Sequence, residues 1–333
     1  IDTNWNAWTG NDADAVSFDE HKGYALDRAE SATEWAGAKA AAEAYRLSGN
    51  TDKATEMDEF AAKMKASYIK NLWDSKDKLV RHKWVNGPGA GKLAKYKEIN
   101  NYTPYSVGMM PAEGDADYAD DYEAALRLLA DADQHPIFPF ATANQADDKL
   151  VREDGNKPTN NFSIINSDLY FRAYQAAIRK YHANDKDKQY VTPEMYKKLL
   201  YWNAFAHYQG GDNRLPDQNE FWNNADTKNG GSIQYRSWIH HTQLGSTNWT
   251  LIEDVAGMTS RTDDKIELNP IAMPGWNYFT VNNLNYHGKN VTIVWDKDGS
   301  HYGGPAGYSV YIGDQGKDSE LAFTVDKLSH VVY

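Results

Sequence analysis

Residues 215–257 read LPDQNEFWNNADTKNGGSIQYRSWIHHTQLGSTNWTLIEDVAG, and the rest of the chain is interpreted outward from this stretch. It begins as a polar loop in which Glu220 is followed by two aromatic residues, the second of them Trp222. It ends in a segment whose apolar residues have a spacing that predicts a buried helix: Leu244, Trp249, Leu251, Ile252 and Val255. Between the two parts lie one indole and two imidazole side chains, those of Trp238, His240 and His241.

A carboxylate among indoles, imidazoles and amides is typical of a sugar-binding site. Aromatic faces stack on the C–H surfaces of a sugar ring, amides and imidazoles bind hydroxyl groups, and carboxyl groups transfer protons. The alternative is a surface loop whose aromatic side chains only pack against a helical wall. The stretch itself is compatible with both interpretations.

A second stretch of similar character precedes the first predicted helix. Residues 1–24, IDTNWNAWTGNDADAVSFDEHKGY, are polar and have no helical spacing, so we expect a loop. Its aromatic and acidic residues include Trp5, Trp8, Asp12 and Asp14. Asp-rich loops commonly form local turns, and an acidic tail is one interpretation. The other is a second catalytic loop that supplies the partner carboxylate of Glu220.

The composition restricts the classes of function. A formal net charge of −12 argues against a nucleic acid or an anionic membrane as partner. The 11 Trp and 22 Tyr outnumber the 10 Phe, and their rings combine an apolar face with a polar group, as carbohydrate binding requires. The chain has no Cys, which excludes disulfides, thiolate metal sites and a Cys nucleophile. No apolar run reaches the ~20 residues of a membrane-spanning helix.

The hydrophobic spacing divides the chain into two predicted domains. Three- and four-residue steps predict a helical hairpin from residues 25–48 and 52–73, with further helices at 117–132, 161–184, 192–208 and 243–257. After Arg261 the spacing changes to steps of two, which predicts antiparallel strands. We therefore expect a mainly α protein, with a helical domain at 1–262 and an antiparallel β-sandwich at 263–333. In the β domain, core packing is favoured over glycan binding for Trp276 and Tyr278.

Paired carboxylates are the best-supported chemistry. The chain has no His-Glu-x-x-His motif, zinc spacing, calcium loop, nucleotide-binding glycine motif or Gly-x-Ser-x-Gly elbow. The sequence therefore predicts neither a metal nor a cofactor. Hydrolysis of a glycosidic bond requires a proton donor and a second carboxylate, and the two lie ~6.5–9.5 Å apart in inverting enzymes.

The motifs NEFWNNADTKNGG and WIHHTQLGSTNWTLIEDVAGM, followed by IELNPIA and a β module, resemble those of the six-hairpin (α/α)6-barrel glycoside hydrolases. The likeness in organisation covers residues 25–296, and the sharper motif match covers 215–272. The passage VAGMTSRTDDKIELNPIAM departs from the family pattern, with Met where Leu is common and Thr-Ser in place of Arg-Pro. Within this group the chain is similar to the bacterial β-L-arabinobiosidases of glycoside hydrolase family 121.

The resemblance implies inverting, exo-acting hydrolysis of terminal sugars from plant or other complex glycans. By position, Glu220 would be the general base, and Asp12 or Asp14 the general acid. The implied sugar-binding residues are Trp5, Trp8, Trp222, Trp238, His240 and His241. The implied partner is an oligosaccharide or polysaccharide substrate. The implied location is secreted or on the bacterial cell surface, with a cytoplasmic location left open.

The predicted helices are too few for a complete (α/α)6 barrel. The resemblance therefore implies the C-terminal half of a barrel, and the N-terminal half of the same enzyme would then be a partner. Three other functions compete with this interpretation: a non-catalytic carbohydrate-binding protein, a polysaccharide lyase on a helical toroid, and a helical-repeat scaffold. The lack of a fixed repeat length argues against the scaffold. The acidic charge argues against a lyase for uronates.

Overall fold

The computed structural model describes residues 26–95, 97, 99–131, 162–163, 167–183, 185, 187–206, 221–224, 233–236 and 248–333. These described residues divide into two compact units. The second unit comprises Pro193–Lys198 and the described residues after Leu244, and the first comprises all the others. In the described ranges, no helix is both long and apolar enough to cross a membrane.

The first unit begins with the predicted helical hairpin, α1 (Ala32–Leu47) and α2 (Thr51–Leu72), which is confirmed. Gly49, with a φ of +79°, ends α1 in a backbone conformation that suits glycine. The Asn50 side chain then caps α2 by accepting a hydrogen bond of 3.2 Å from the Lys53 amide. The facing surfaces are rich in alanine, which lets the two backbones approach closely. The buried alanines are Ala32, Ala38 and Ala42 on α1, and Ala54 and Ala61 on α2.

The later helical segments are shorter than the spacing predicts. They are α3 (Thr103–Ser106), α4 (Asp120–Ala124), α5 (Leu126–Ala130), α6 (Ser167–Lys180) and α7 (Pro193–Ala206).

The prediction of a single helix at 117–132 is wrong, because the helix is interrupted at Ala125, between α4 and α5. The hydroxyl of Tyr105 donates to the carbonyl oxygen of Tyr122, the acceptor that a continuous helix would offer to Leu126. The helix predicted at 161–184 is confirmed at Ser167–Lys180, whereas Phe162–Ser163 form a strand.

Short antiparallel strands connect these helices. After α2 the chain forms a β-hairpin, in which β2 (Trp73–Asp74) pairs with β3 (Leu79–Val80). Just before the 3-10 turn that leads into α1, β1 (Leu26–Asp27) pairs with β4 (Lys83–Trp84). A separate three-stranded sheet has the order β5-β6-β7. Its strands are β5 (Phe162–Ser163), β6 (Phe221–Asn224) and β7 (Ile233–Arg236). The described helices do not establish a closed (α/α)6 barrel, which stays a prediction.

The second unit contains the predicted β-sandwich, which is confirmed. Its larger sheet has the order β10-β11-β12-β13, and its smaller sheet has the order β14-β9-β8. The strands are β8 (Met258–Thr259), β9 (Glu267–Leu268), β10 (Tyr278–Tyr286), β11 (Lys289–Asp296), β12 (Gly307–Asp314), β13 (Glu320–Val325) and β14 (Val331–Val332).

The core of the sandwich lies between the two sheets. Its buried members are Ala256, Met258, Ile266, Leu268, Val291, Ile293, Trp295, Tyr308 and Val310. The period-two alternation of the sequence places Val291, Ile293 and Trp295 on the inner face of β11. The core packing favoured for Tyr278 is wrong. This side chain is 51% exposed on the outer face and stacks on His301, with ring centroids 3.5 Å apart.

The end of the stretch at 215–257 is a structural junction. The helix predicted at 243–257 contains, in its described part, a π-helix at Leu251–Val255. Fully buried Asp254 accepts a hydrogen bond from the hydroxyl of Tyr196, and its backbone oxygen accepts one of 2.7 Å from the amide of Ile271. Gly257 follows with a φ of +76°, and its carbonyl oxygen accepts from the amide of Asn269 at 2.7 Å.

We predict that Gly257→Ala strongly destabilises the second unit. An added Cβ would lie 2.4 Å from the backbone nitrogen of Pro270, and the positive φ disfavours any side chain. Together these effects should lower the free energy of unfolding by about 2–4 kcal/mol. The control is Gly288→Ala, with a φ of +74° and no atom within 4 Å of the added Cβ. Denaturant titration should show that this control lowers the free energy of unfolding by only about 1–2 kcal/mol. Equal losses in the two variants would refute the role of the close approach.

Candidate functional site

Most of the predicted site residues lie outside the described residues. These are Trp5, Trp8, Asp12, Asp14, Glu220, Trp238, His240 and His241. Trp222 lies in the middle strand β6, where its backbone is paired with Phe162 on one side and Tyr235 on the other. Glu220 directly precedes this strand in the sequence. The structure of the site can therefore be examined through the segments that flank the two predicted catalytic loops.

The segment that follows the N-terminal loop is held firmly. The backbone of Leu26 is paired with that of Trp84, and the amide of Ala29 donates to Nδ1 of His82 at 2.9 Å. The hydroxyl of Tyr68 donates to the carbonyl oxygen of Ala29 at 2.6 Å. His82 is fully buried, and acceptance at Nδ1 places the proton of its neutral ring on Nε2. The backbone of residues 26–29 is therefore held by strand pairing and by two side-chain hydrogen bonds.

Several buried polar residues accompany this segment. The 3-10 turn Ala29–Ser31 packs against the turn Ile99–Tyr102 and against α3. Polar groups are rarely buried unless they form hydrogen bonds or serve a site. The buried polar side chains of these adjoining segments are Arg28, His82, Asn100, Asn101 and Thr103. The sequence interpretation missed this group. The consecutive amides of NNYT at 100–103 were the available signal.

Each flanking segment is linked to the start of α6, one by packing through α3 and the other by the order of the chain. The hydroxyl of Ser106, the last residue of α3, donates to the carbonyl oxygen of Leu169 in the first turn of α6 at 3.0 Å. Strand β5 ends at Ser163, four residues before α6 begins, and pairs with β6 directly after Glu220. The chain that follows the N-terminal loop and the chain that follows Glu220 are thus both connected to the start of this helix.

A second polar cluster lies at the other end of α6. Nε2 of His182 is 3.0 Å from Oε2 of Glu123, which also accepts a 2.8 Å hydrogen bond from the hydroxyl of Tyr118. Burial raises the pKa of Glu123, while the Tyr118 hydrogen bond and His182 lower it. The 14 residues of α6 span about 21 Å. The cluster lies beyond the C-terminal end of this helix and its members contact one another, so we assign it a structural role.

Asp27 is another carboxylate that the sequence interpretation missed. It lies in β1, just after the N-terminal loop, and burial raises its pKa while the charge of Lys83 opposes the increase. Lys83 in turn donates to the side chain of Asn71 at 3.0 Å. Asp27 is therefore a carboxyl group with a raised pKa close in sequence to the predicted acids. In the described part of the chain, no group of three or more His, Asp or Glu side chains is placed to hold a metal ion.

Comparison with known proteins relates the second unit to glycoside hydrolases. Residues 260–321 match the C-terminal domain of glycosyl hydrolase family 65, a range that contains β9 to β12. A solved structure described as "Sialidase" has a similar fold, with a TM-score of 0.74 and 20% sequence identity. The alignment covers 93% of this chain and 27% of the sialidase chain. The chain thus contains a glycoside-hydrolase-related β domain and spans about a quarter of the length of that structure.

We predict that the free energy of unfolding of Asp27→Asn, relative to that of the parent, increases as the pH rises. With its pKa raised above 3.8, Asp27 binds its proton more tightly in the folded protein than in the unfolded chain. The stabilisation from this bound proton is therefore fully present below the unfolded-state pKa of 3.8 and is lost as the pH rises through the folded-state pKa. Denaturant titrations from about pH 3 to pH 7 should show the variant gaining stability relative to the parent.

The control for this measurement is Lys83→Met. Because Lys83 lowers the pKa of Asp27, removal of the Lys83 charge should raise that pKa further. In a protein that retains Asp27, the loss of stability with rising pH should then be larger. A difference between parent and Asp27→Asn that does not change with pH would refute the assignment.

Proposed function

We propose that this chain is part of a glycoside hydrolase that removes terminal sugar units from plant or other complex glycans by inversion. The observation that carries the proposal is the match of residues 260–321 to the C-terminal domain of a glycosyl hydrolase family. The polar, aromatic loops at 1–24 and 215–222 supply the residue types that this chemistry requires. The likeness to the sialidase structure supports the fold and does not transfer its substrate to this chain.

In this proposal Glu220 is the general base that activates water, and Asp12 or Asp14 is the general acid at the leaving oxygen. The connection of both flanking segments to the start of α6 supports the meeting of the two loops. An inverting reaction requires a separation of ~6.5–9.5 Å between the carboxyl groups, which leaves room for the water molecule.

The sugar ring would be bound by aromatic faces and by hydrogen bonds from imidazoles. The proposed subsite residues are Trp5, Trp8, Trp222, Trp238, His240 and His241. Trp222 lies in the middle strand of the β5-β6-β7 sheet, whose pairing on both sides fixes its backbone. A rigid strand next to a catalytic carboxylate favours precise positioning of the substrate.

Several finer points are part of the same proposal. They are the exo mode, the likeness to family 121, the secreted or cell-surface location in a bacterium, and completion of the barrel by an N-terminal half. The motifs at 215–272 support the likeness to the six-hairpin glycosidases as a group, whereas the family whose domain matches is family 65. The proposal therefore depends on the carboxylate chemistry more than on the choice of family.

We predict that Glu220→Gln reduces turnover by about 10²–10⁴-fold, because an amide cannot accept a proton from water. The measurement is the release of new reducing ends from plant-glycan oligosaccharides by the intact protein. NMR of the first-formed anomer reports inversion. Asp12→Asn and Asp14→Asn, assayed in the same way, identify the acid as the variant with the larger loss.

The matched control is Glu320→Gln, the same substitution at an exposed position of β13. It should retain the parent rate. Parent-like turnover in Glu220→Gln would refute the proposed base. An unsaturated product that absorbs in the ultraviolet would instead indicate a lyase.

A further inference from the structure

The outer face of the larger sheet contains a groove that the proposed catalytic chemistry does not use. It has a volume of about 460 Å³, within the range of ~300–1,000 Å³ typical of small-molecule sites. All of its residues belong to the second unit. We call it the outer groove. The lining residues on which the inference depends are Thr280, Asn282, Asn290, Thr292, Tyr302 and Tyr311.

The floor of the outer groove follows from the strand pattern. Alternation along β11 directs Asn290, Thr292 and Val294 away from the sandwich core. On β10, an irregularity in the pairing between Val281 and Leu284 places two consecutive amides, Asn282 and Asn283, at the groove. A bulge of this kind redirects side chains.

The amides and hydroxyls of the floor are held by one another. Thr280 Oγ1 donates to Asn282 Oδ1 at 2.6 Å, and Asn290 Nδ2 donates to Asn283 Oδ1 at 3.1 Å. The backbone N–H of Asn283 donates to Thr292 Oγ1 at 3.2 Å. The side-chain N–H groups of Asn282 and Asn283 take part in none of these bonds, and each amide offers two N–H donors. The floor is therefore both ordered and able to bind additional hydroxyl groups.

The wall of the outer groove is a loop fixed by a buried carboxylate. Asp296, only 2% exposed, accepts hydrogen bonds from the backbone amides of His301 at 2.9 Å and Tyr302 at 2.8 Å. The ring of Tyr278 stacks on His301 and lies edge-on to Tyr302. These contacts hold the Tyr302 ring at the rim with 41% of its surface exposed.

Gly304 completes the wall, where the loop lies close to the side chain of Tyr311. An added Cβ at this position would lie 3.0 Å from the hydroxyl of Tyr311, so a side chain here would crowd the floor. Glycine allows the loop to come near the sheet while the Tyr311 hydroxyl still lines the groove.

The charges at the outer groove are mostly compensated. Asp296 is engaged by two backbone amides, and the ammonium group of Lys317 is 3.1 Å from Asp314. Asp318 adds one exposed carboxylate to the lining. The rest is dominated by neutral amides and hydroxyls with two tyrosine rings and Pro305. Neither a strongly charged nor a purely apolar ligand suits this surface. A ligand with many hydroxyls and exposed C–H faces does.

We propose that the outer groove is a non-catalytic binding site for neutral oligosaccharides. Tyr302 and Tyr311 would contact the sugar faces, and Thr280, Asn282 and Thr292 would bind hydroxyl groups. The site would hold a glycan on the β domain independently of hydrolysis at Glu220. This inference uses no residue of the proposed catalytic loops.

Binding to the whole chain tests the proposal directly. The experiment is carried out with Glu220→Gln so that hydrolysis does not consume the probe, and it uses isothermal titration calorimetry. The probes are neutral malto-, xylo- and arabino-oligosaccharides, with an oligogalacturonate as the anionic comparison. We expect at least one neutral probe to bind more tightly than the oligogalacturonate. Tyr302→Ala should weaken its binding about tenfold or more, equivalent to ~1.4 kcal/mol.

Two further variants separate recognition from folding. Tyr311→Phe keeps the ring and removes only the hydroxyl, and Thr280→Val keeps the branched shape, so each should weaken binding by a smaller factor without loss of the native circular dichroism. Tyr45→Ala on α1 is the matched control, since Tyr45 is 37% exposed and lies in the first unit. It should bind like the parent.

The outcomes separate this inference from the proposed function. No binding of any neutral probe at millimolar concentration, or parent-like binding by Tyr302→Ala and Tyr311→Phe, would overturn the groove proposal whatever Glu220 does. A preference for oligogalacturonate would overturn it as well. Conversely, hydrolysis by Glu220→Gln at the parent rate would overturn only the catalytic assignment, because the binding result depends on residues of the second unit alone.

Discussion

The second unit depends on a buried carboxylate. Asp254 is fully buried, and burial of a carboxyl group is costly unless hydrogen bonds compensate for the lost water. Here the hydroxyl of Tyr196 donates to its side chain, and its backbone oxygen accepts from the amide of Ile271. One residue thus connects the first turn of α7, the π-helix and the passage that leads into the β-sandwich. Removal of the Tyr196 hydroxyl would take one hydrogen bond away from a buried carboxylate, at a cost of about 1–3 kcal/mol.

This junction changes how the sequence motifs are understood. The passage from Val255 to Ile271 carries part of the resemblance to the (α/α)6 glycosidases, yet its described contacts are structural. Gly257 accommodates Pro270 at close range, and Asp254 and Ile271 are hydrogen-bonded to each other through the backbone. A motif in this region therefore reports how a helical segment is joined to a β domain. Its described contacts carry no information on a substrate.

The elements that could be predicted from the sequence are those whose pattern is local. The α1–α2 hairpin and the strands β10 to β13 follow from periodicity, because their apolar residues recur on one face that packs against a core. Long-range contacts explain the failures. The helix is interrupted at Ala125, where the hydroxyl of Tyr105 donates to the carbonyl oxygen of Tyr122. The exposed ring of Tyr278 stacks on the imidazole of His301.

The same distinction applies to the candidate site. Residue types in the two loops predict the carboxylates, but no local pattern shows that the loops meet. Nor could local spacing identify Asp27 or the buried amides at 100–101, whose environment is created by segments distant in sequence.

The edges of the larger sheet link its stability to its surface chemistry. An exposed edge strand can pair with another chain, and irregular pairing is one way in which proteins prevent this. The edge strand β10 pairs irregularly between Val281 and Leu284, and the other edge strand, β13, pairs irregularly with β12 between Val310 and Tyr311. On β10 the irregularity also turns Asn282 and Asn283 toward the outer face. One local distortion thus protects the sheet edge and supplies the neutral amides of the outer groove, so the polar character of that face follows from how the sheet is terminated.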